Sequence, residues 1–389
     1  MTYNLFSNIE LVKRTLKFLL LPHYADQSIP MRTQAAEIFG KYLAKKHEVI
    51  SIIKDNSESS HFIWENVECY NLPLFKFLKK IFELVNSKKF DIVFIRDDLF
   101  LLIIGLVIKK LFHIPILFYF SIPIKFIAEF GRKWYHPRNI GGSIKHFLLI
   151  RLMRYVDLVL PASEWMGRYL IFNGINKDRI YNFPNGANLD TFHTSPYPLS
   201  NKTPTYIYIG AIGKLRSLDI IIKAMIIVTQ VYKEAILYMV GDGDDLQGLK
   251  QLTKDLKLEK NVIFTGLVKY EKVADYIEKS HICLCPIPPF YHYKLSSPLK
   301  LFEYMSCQRP VIANKEIPAH ISTIRKSNCG VAVKFTAEDF AKEMIEMIKH
   351  PNQAREMGIN GRKWIEENRS YKILADNLEK EIYKRFYNS

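Results

Sequence analysis

Ser296-Ser-Pro-Leu-Lys-Leu-Phe-Glu-Tyr-Met-Ser-Cys307, continued by Gln308-Arg-Pro-Val-Ile-Ala313, reads as a helix start, a helix and the strand after it. Ser297 is a good N-cap and Pro298 suits the first helical position. Lys300 and Glu303 are three residues apart, so they share a helix face. Free N–H groups at a helix start, a lysine one turn in and a carboxylate one turn further suit a nucleotide diphosphate. The free N–H groups of the helix N-terminus around Ser297–Leu299 are expected at the phosphates together with Lys300, the proline ring of Pro298 fixing the turn, and Glu303 is expected at the ribose hydroxyls. Pro310-Val-Ile-Ala313 then reads as a buried parallel strand.

Outward from this segment, strand-like runs alternate with helical patterns. In the second half the expected strands are Tyr206–Ile209, Ile236–Val240, Val262–Phe264, Ile282–Cys285, Val311–Ala313 and Val331–Val333. A closing helix is expected over Tyr371–Phe386. In the first half they are Leu16–Leu21, Glu48–Ile53, Asp91–Ile95, Ile116–Phe120 and Leu158–Pro161, with helices over 32–45, 74–85, 100–112 and 144–155. Such alternation predicts α/β architecture with parallel sheets. Between the halves, Pro196, Pro198 and Pro204 stand among Ser, Thr and Asn residues, as in an interdomain linker. The expected division is 1–190 as a first, acceptor-binding domain, 191–204 as linker, 205–370 as a second, donor-binding domain, and 371–389 as a terminal helix packing back on the first. The expected fold is two Rossmann-like, doubly wound domains facing a central cleft, with ligands at the carboxyl ends of strands.

At 389 residues the chain is long enough for two cores. Its formal net charge of +16 is divided as +9 over residues 1–195 and +7 over the rest. A balance this basic favours an anionic partner. Five cysteines, none with zinc-finger spacing, predict buried thiols and a reducing compartment. Lys13, Arg14 and Lys17 interrupt any signal-peptide core before Phe18. The apolar run 111–124 is broken by Pro115 and Pro123 and is too short to span a bilayer. Lys76, Lys79 and Lys80 interleave with Leu74, Phe75, Phe77, Leu78, Ile81 and Phe82, and Lys145, Arg151 and Arg154 interleave with Phe147–Ile150 and Leu152. Apolar residues there exceed one helix face, as in helices lying on an anionic lipid surface; a core face is the plainer alternative. The expected location is cytoplasmic, peripheral on the inner face of the plasma membrane. No nucleic-acid module is visible.

Four pieces, the opening segment among them, carry a resemblance to a known family. They are Tyr208-Ile-Gly-Ala-Ile-Gly-Lys-Leu-Arg-Ser-Leu-Asp219, Leu237-Tyr-Met-Val-Gly-Asp-Gly243, Phe264-Thr-Gly-Leu-Val268, and Ser296–Ala313 with its Pro-x-Lys-x-x-Glu-Tyr-Met pattern. In this order they resemble the donor domain of a retaining GT-B-fold glycosyltransferase of family 4 (glycosyl transferases group 1). Asp157–Ser163, Pro184-Asn-Gly186 and Phe192 resemble the end of that family's acceptor domain. The resemblance implies transfer of a hexose from a nucleotide-diphosphate sugar with retention; the basic charge and basic helices make an anionic, lipid-linked saccharide the expected acceptor, and no metal or other cofactor is expected. It places Gly210, Gly213, Arg216, Gly241, Gly266, Leu267, Leu295, Ser296, Ser297, Pro298, Leu299, Lys300 and Glu303 at the donor, with Arg216 and Lys300 stabilising the departing diphosphate. Two positions depart from the pattern: Leu295 where many members carry Glu, and Ser121 where many carry His. They support one alternative, a non-catalytic binding or scaffold subunit; a nucleotide-sugar epimerase or hydrolase is a further alternative.

Each of these residues also has a plainer reading. Lys300 and Glu303 alone make a surface ion pair, and Arg216 alone a solvated arginine. Gly241-Asp-Gly243 lacks the third glycine of a dinucleotide fingerprint, since Leu246 stands there. Asp242-Gly-Asp244 spells a metal motif, but acids after a strand, with Asp245, more simply cap the next helix. On the acceptor side the candidates are His23 at the end of the first strand, Ser121, and His136 in the basic aromatic loop Arg132–Arg138; His113 reads as structural.

Overall fold

The computed structural model describes residues 14–22, 34–55, 59–121, 137–199 and 203–387. Two α/β domains are built, each on a largely parallel sheet. By compactness the chain divides into Met1–Tyr119 with Phe147–Val159, and Phe120–His146 with Leu160–Ser389. The first sheet has seven strands: β1 (Lys17–Leu21), β2 (Glu48–Lys54), β3 (Ser60–Trp64), β4 (Val67–Leu72), β5 (Ile92–Arg96), β6 (Ile116–Phe120) and β7 (Leu158–Pro161). Their order is β3-β4-β2-β1-β5-β6-β7. The second has six: β8 (Thr205–Ile209), β9 (Ile236–Val240), β10 (Val262–Gly266), β11 (Ile282–Cys285), β12 (Val311–Asn314) and β13 (Gly330–Val333), ordered β10-β9-β8-β11-β12-β13 and parallel throughout.

These strands form where the chain is continuously apolar, because a sheet covered by helices on both faces buries every side chain. β8 and β11 are buried at every position. The expected strands are all present, within one or two residues at their ends. The sequence reading missed β3 and β4, an antiparallel edge hairpin turned at Glu65, whose φ is +52°. β3 is an exposed to half-buried edge strand whose only apolar stretch is the three residues Phe62-Ile-Trp64, too short to read as a strand. The helix expected over 32–45 divides into an α turn (Gln34–Glu37), a π turn (Ile38–Tyr42) and a 3-10 turn (Leu43–Lys45). Gly40 lies in the π turn against Trp64, where a Cβ would approach the ring to 2.0 Å. An unpredicted helix, Glu164–Phe172, starts where the Ser163 hydroxyl accepts from the Met166 N–H at 2.9 Å.

The proline-rich stretch after Asp190 is anchored by side chains. Phe192 and Tyr197 are buried in the cores of the second sheet. Arg309, fully buried, donates to the carbonyls of Ser195, Pro196, Glu278, Ser280 and Cys307 and to the Ser195 hydroxyl. Two of those carbonyls lie at the ends of the helices Val273–Glu278 and Leu299–Ser306, whose dipoles favour a cation there. The last helix, Tyr371–Phe386, is capped by Ser370 and tied back by the bonds Ala187 N–H to Arg369 O and Tyr371 N–H to Ala187 O.

The helices Leu74–Lys88 and Leu99–Phe112 connect β4 to β5 and β5 to β6. Right-handed crossovers place both on one face of the first sheet. Among the described residues no helix is long and apolar enough to cross a membrane.

Candidate functional site

The carboxyl ends of β8, β9 and β11 bring most of the expected donor residues together. After β8 the chain turns at Gly210, whose φ is +139° and whose N–H donates to the Val240 carbonyl. After β9 it turns at Gly241, φ +142°, where a Cβ would lie 2.0 Å from the Gly210 oxygen. Only glycine fits these two positions, because the backbones touch and both conformations disfavour a side chain. The Gly210–Gly213 loop leads into a 3-10 turn, Lys214–Arg216, closed by the Arg216 N–H on the Gly213 carbonyl at 2.8 Å. The Asp244 carboxylate accepts from the Lys214 N–H at 3.0 Å and so holds this turn.

The helix Leu299–Ser306 begins beside that loop. Its N-cap is Pro298, with no side-chain cap, which corrects the expectation for Ser297. A residue before proline is driven to extended backbone, so the helix starts after it. The Ser297 hydroxyl instead accepts from the Asn185 N–H at 3.1 Å, and the Ser297 carbonyl accepts from the Asn185 side-chain amide at 2.6 Å. The Leu295 carbonyl accepts from the Ser163 hydroxyl at 2.5 Å, and the Leu295 side chain is buried. The Ser296 hydroxyl donates to the Tyr293 carbonyl at 2.7 Å. Segment 295–297 is thus pinned from both sides, and the first N–H groups of the helix keep no side-chain cap.

Lys300 reaches back over β8. Its ammonium lies 3.1 Å from the Tyr208 hydroxyl and 4.2 Å from the centre of that ring. Arg216 lies 5.0 Å from the centre of the Tyr293 ring. Among the described residues neither cation has a carboxylate within ion-pair distance. Both act on the buried Cys285 thiol at the end of β11, which burial nonetheless pushes up to about 12. Burial and Arg216 together press the His292 imidazole down to about 4. Glu303, one turn beyond Lys300, is raised to about 7 by burial, against the opposing pull of Lys300 and of the Tyr270 hydroxyl 3.5 Å away. The Tyr304 hydroxyl accepts from the Ile209 N–H at 2.9 Å, which locks this helix to β8.

Gly266 ends β10 at φ +72° with open space where a Cβ would stand, and its carbonyl accepts from the Gly241 N–H. Leu267 beyond it is exposed. Asp245 is the N-cap of Leu246–Asp255 without a side-chain bond, and Asp242 bonds its own neighbour Gly243. The reading of these acids as helix caps is therefore corrected for Asp242 and Asp244, the latter serving the neighbouring loop instead, while Asp245 holds the N-cap position without using its side chain. Ser121 stands half-buried just after β6. His23 and His136 lie outside the described residues.

Sequence reasoning quoted Tyr208, Ser163 and Asn185 only within family-like stretches, without a role for any of them, and did not name Tyr293 or Tyr270. Tyr208 was within reach, as the aromatic residue two positions before the glycine turn. Ser163 and Asn185 were not, since their contacts span more than a hundred residues of chain.

Residues 191–364 match the family described as Glycosyl transferases group 1, and residues 38–191 match Glycosyltransferase Family 4. The uncharacterized glycosyltransferase MJ1069 of Methanocaldococcus jannaschii is 25% identical over 96% of this chain and 100% of its own length. Among solved structures, a sucrose-phosphate synthase from Thermosynechococcus elongatus superposes with a TM-score of 0.75 at 17% identity, covering 97% of this chain and 100% of that one. Anabaena HepE in complex with UDP-glucose gives 0.71 at 14% identity, covering 95% and 100%. At these identities the two structures show a shared GT-B fold.

Proposed function

We propose that this chain, which belongs to the GT-B glycosyltransferases of family 4, transfers a hexose from a nucleotide-diphosphate sugar to an anionic, lipid-linked saccharide acceptor with retention. The observation that carries the donor half is the pair of cations Arg216 and Lys300, unpaired by carboxylates, beside a glycine turn and an uncapped helix start at the carboxyl end of a parallel sheet. Fixed positive charge at that place stabilises a diphosphate most as it departs and gains charge. The bond from the anomeric carbon to the diphosphate oxygen breaks, and one to the acceptor oxygen forms on the same face. The acceptor hydroxyl proton passes to the departing phosphate, so no protein base is required. Glu303 takes the ribose hydroxyls. Arg216 and Lys300 do the work a divalent cation would otherwise do, and this reading includes no metal.

The acceptor half rests on surface chemistry. Leu74 and Phe75, the latter 81% exposed, lie beside Lys76 and Lys79, and Ile144, Phe147 and Leu148 are exposed beside Arg151. Apolar residues outside the core face, flanked by cations, suit the surface of an anionic bilayer and an acceptor embedded in it.

The test is a panel of nucleotide-sugars and phosphorylated lipid-linked saccharides, followed by nucleotide diphosphate release and by the anomeric configuration of the product. Release that depends on the acceptor is expected, unchanged by a chelator, and Glu303→Ala should abolish donor binding. Release without acceptor, an inverted product, or full donor affinity in Glu303→Ala would each overturn the part it addresses.

A further inference from the structure

The two cations at the end of the second sheet are each carried by a tyrosine ring. Arg216 faces Tyr293 at 5.0 Å, and Lys300 faces Tyr208 at 4.2 Å. We propose that Tyr293 and Tyr208 are positioning residues that order Arg216 and Lys300 for a nucleoside diphosphate while leaving their charge intact. The inference rests on the reading of these two cations as the diphosphate site.

Lysine and arginine side chains have many rotamers, and immobilising them at the moment of binding weakens the complex. A carboxylate partner would order them but would also cancel the field they exert and compete with the phosphates. A ring face attracts a cation through its quadrupole and leaves the net charge unchanged. A cation already in place gives the preorganised electrostatics that a departing diphosphate needs.

Both rings are themselves fixed. Tyr208 is fully buried in β8, and its hydroxyl donates to the Ala211 carbonyl at 3.0 Å, so its lone pairs are left to face the Lys300 ammonium. The same residue thereby ties the glycine loop to the lysine. A Cβ on Gly210 would stand 3.1 Å from that ammonium, so the loop closes around it. Tyr293 is set by a short turn in which its N–H donates to the Phe290 carbonyl and its own carbonyl accepts from the Ser296 hydroxyl. Arg216 reaches that ring from the end of the 3-10 turn that Asp244 holds.

The test uses the full chain. Uridine, guanosine, adenosine and thymidine diphosphates are titrated calorimetrically, and the tightest is carried forward. Its nucleoside, followed by ligand-observed NMR, is the phosphate-free control, and Arg216→Gln is the reference variant. Tyr293→Leu should weaken the diphosphate by about two- to thirtyfold and leave the nucleoside unchanged. Tyr293→Phe, which keeps the ring, should restore wild-type affinity. Tyr208→Phe, which keeps the ring but removes the hydroxyl, should weaken the diphosphate about threefold to tenfold. If Arg216→Gln loses affinity while Tyr293→Leu keeps it, the positioning role is wrong and the diphosphate site stands. Equal loss of diphosphate and nucleoside in Tyr293→Leu, or no rescue by phenylalanine, would show a merely structural ring and overturn the proposal. Absence of diphosphate binding, or an unaffected Arg216→Gln, would overturn the underlying site and the proposal with it.

Discussion

Around the first sheet Lys17, Lys88 and Lys109 each close on a carboxylate, whereas at the end of the second sheet Arg216 and Lys300 rest on tyrosine rings. The first group is neutralised in place. Lys109 lies 2.7 Å from Asp157, whose other oxygen accepts from the Ile116 N–H, so that pair fastens β6. Arg309 is a third case, since its partners are neutral oxygens and helix ends that satisfy every N–H direction. Its charge is consumed by the fold and buried from any ligand. What separates Arg216 and Lys300 is a fixed position combined with an unspent charge. On the proposed reading of the site, that combination distinguishes a cation kept for a ligand from one kept for stability.

The strongest way to break this comparison is to remove one cation of each kind. Lys300→Met should lower the turnover number by about 10²–10³, the loss typical of a preorganised donor to developing charge. Lys109→Met should leave turnover unchanged and cost about 1 kcal/mol of stability, because its pair with Asp157 is partly exposed. Single-turnover kinetics and chemical denaturation of the two variants check both numbers. Equal kinetic losses would erase the distinction between paired and unpaired cations.

Much of the geometry of this candidate site was legible beforehand, and the reasons are local. Gly210, Gly241, Lys300 and Glu303 follow strands or open a helix, and strand ends are set by apolar runs and glycine turns that a sequence displays directly. The misreading of Ser297 has the opposite origin. Its hydroxyl had two partners to choose from, the helix start or Asn185, and the choice depends on a loop 112 residues away. Tyr293 was hidden for a related reason. A tyrosine in a short turn reads as core, and only the geometry shows a cation on its face. β3 was missed because the apolar run of this exposed edge strand, Phe62-Ile-Trp64, is only three residues long. Leu295 entered as a departure from the family pattern. In the fold its side chain is buried and its carbonyl receives the Ser163 hydroxyl. That position contributes backbone to the helix entry, whatever polar side chain other members place there.

Glu303 sharpens the comparison through pH. Burial raises its carboxyl from 4.5 to about 7, so the ligand-free fold prefers it protonated. The unfolded chain ionises first, near 4.5, so this group's contribution to stability is fully present below that pH. It is lost as pH rises toward 7 and changes little above it. Ribose hydroxyls donate to the ionised form, so donor affinity should move the opposite way, rising between pH 5.5 and 7.5. Glu303→Gln should flatten both profiles, measured by thermal denaturation without ligand and by titration with the tightest nucleoside diphosphate. Parallel profiles for stability and affinity would show that the carboxyl does not meet the ribose.

The smallest effect lies on the surface of the first domain, within one helix. Lys79 and Lys80 are adjacent in Leu74–Lys88, but Lys80 bonds Glu83 at 3.1 Å and faces the Tyr70 ring, while Lys79 is exposed with no ion pair among the described residues. If unspent charge marks a ligand surface here too, Lys79→Ala should weaken binding to vesicles rich in anionic lipid by about fivefold, near 1 kcal/mol for a cation at such a surface. Lys80→Ala should change it less, because Glu83 already offsets that charge. Sedimentation with vesicles at two ionic strengths separates the two, since the electrostatic part should fade as salt rises. Equal losses would mean that net charge alone, and not the pairing of each lysine, sets attraction to the membrane. The rule drawn from Arg216 and Lys300 would then apply only where the cation is fixed in place.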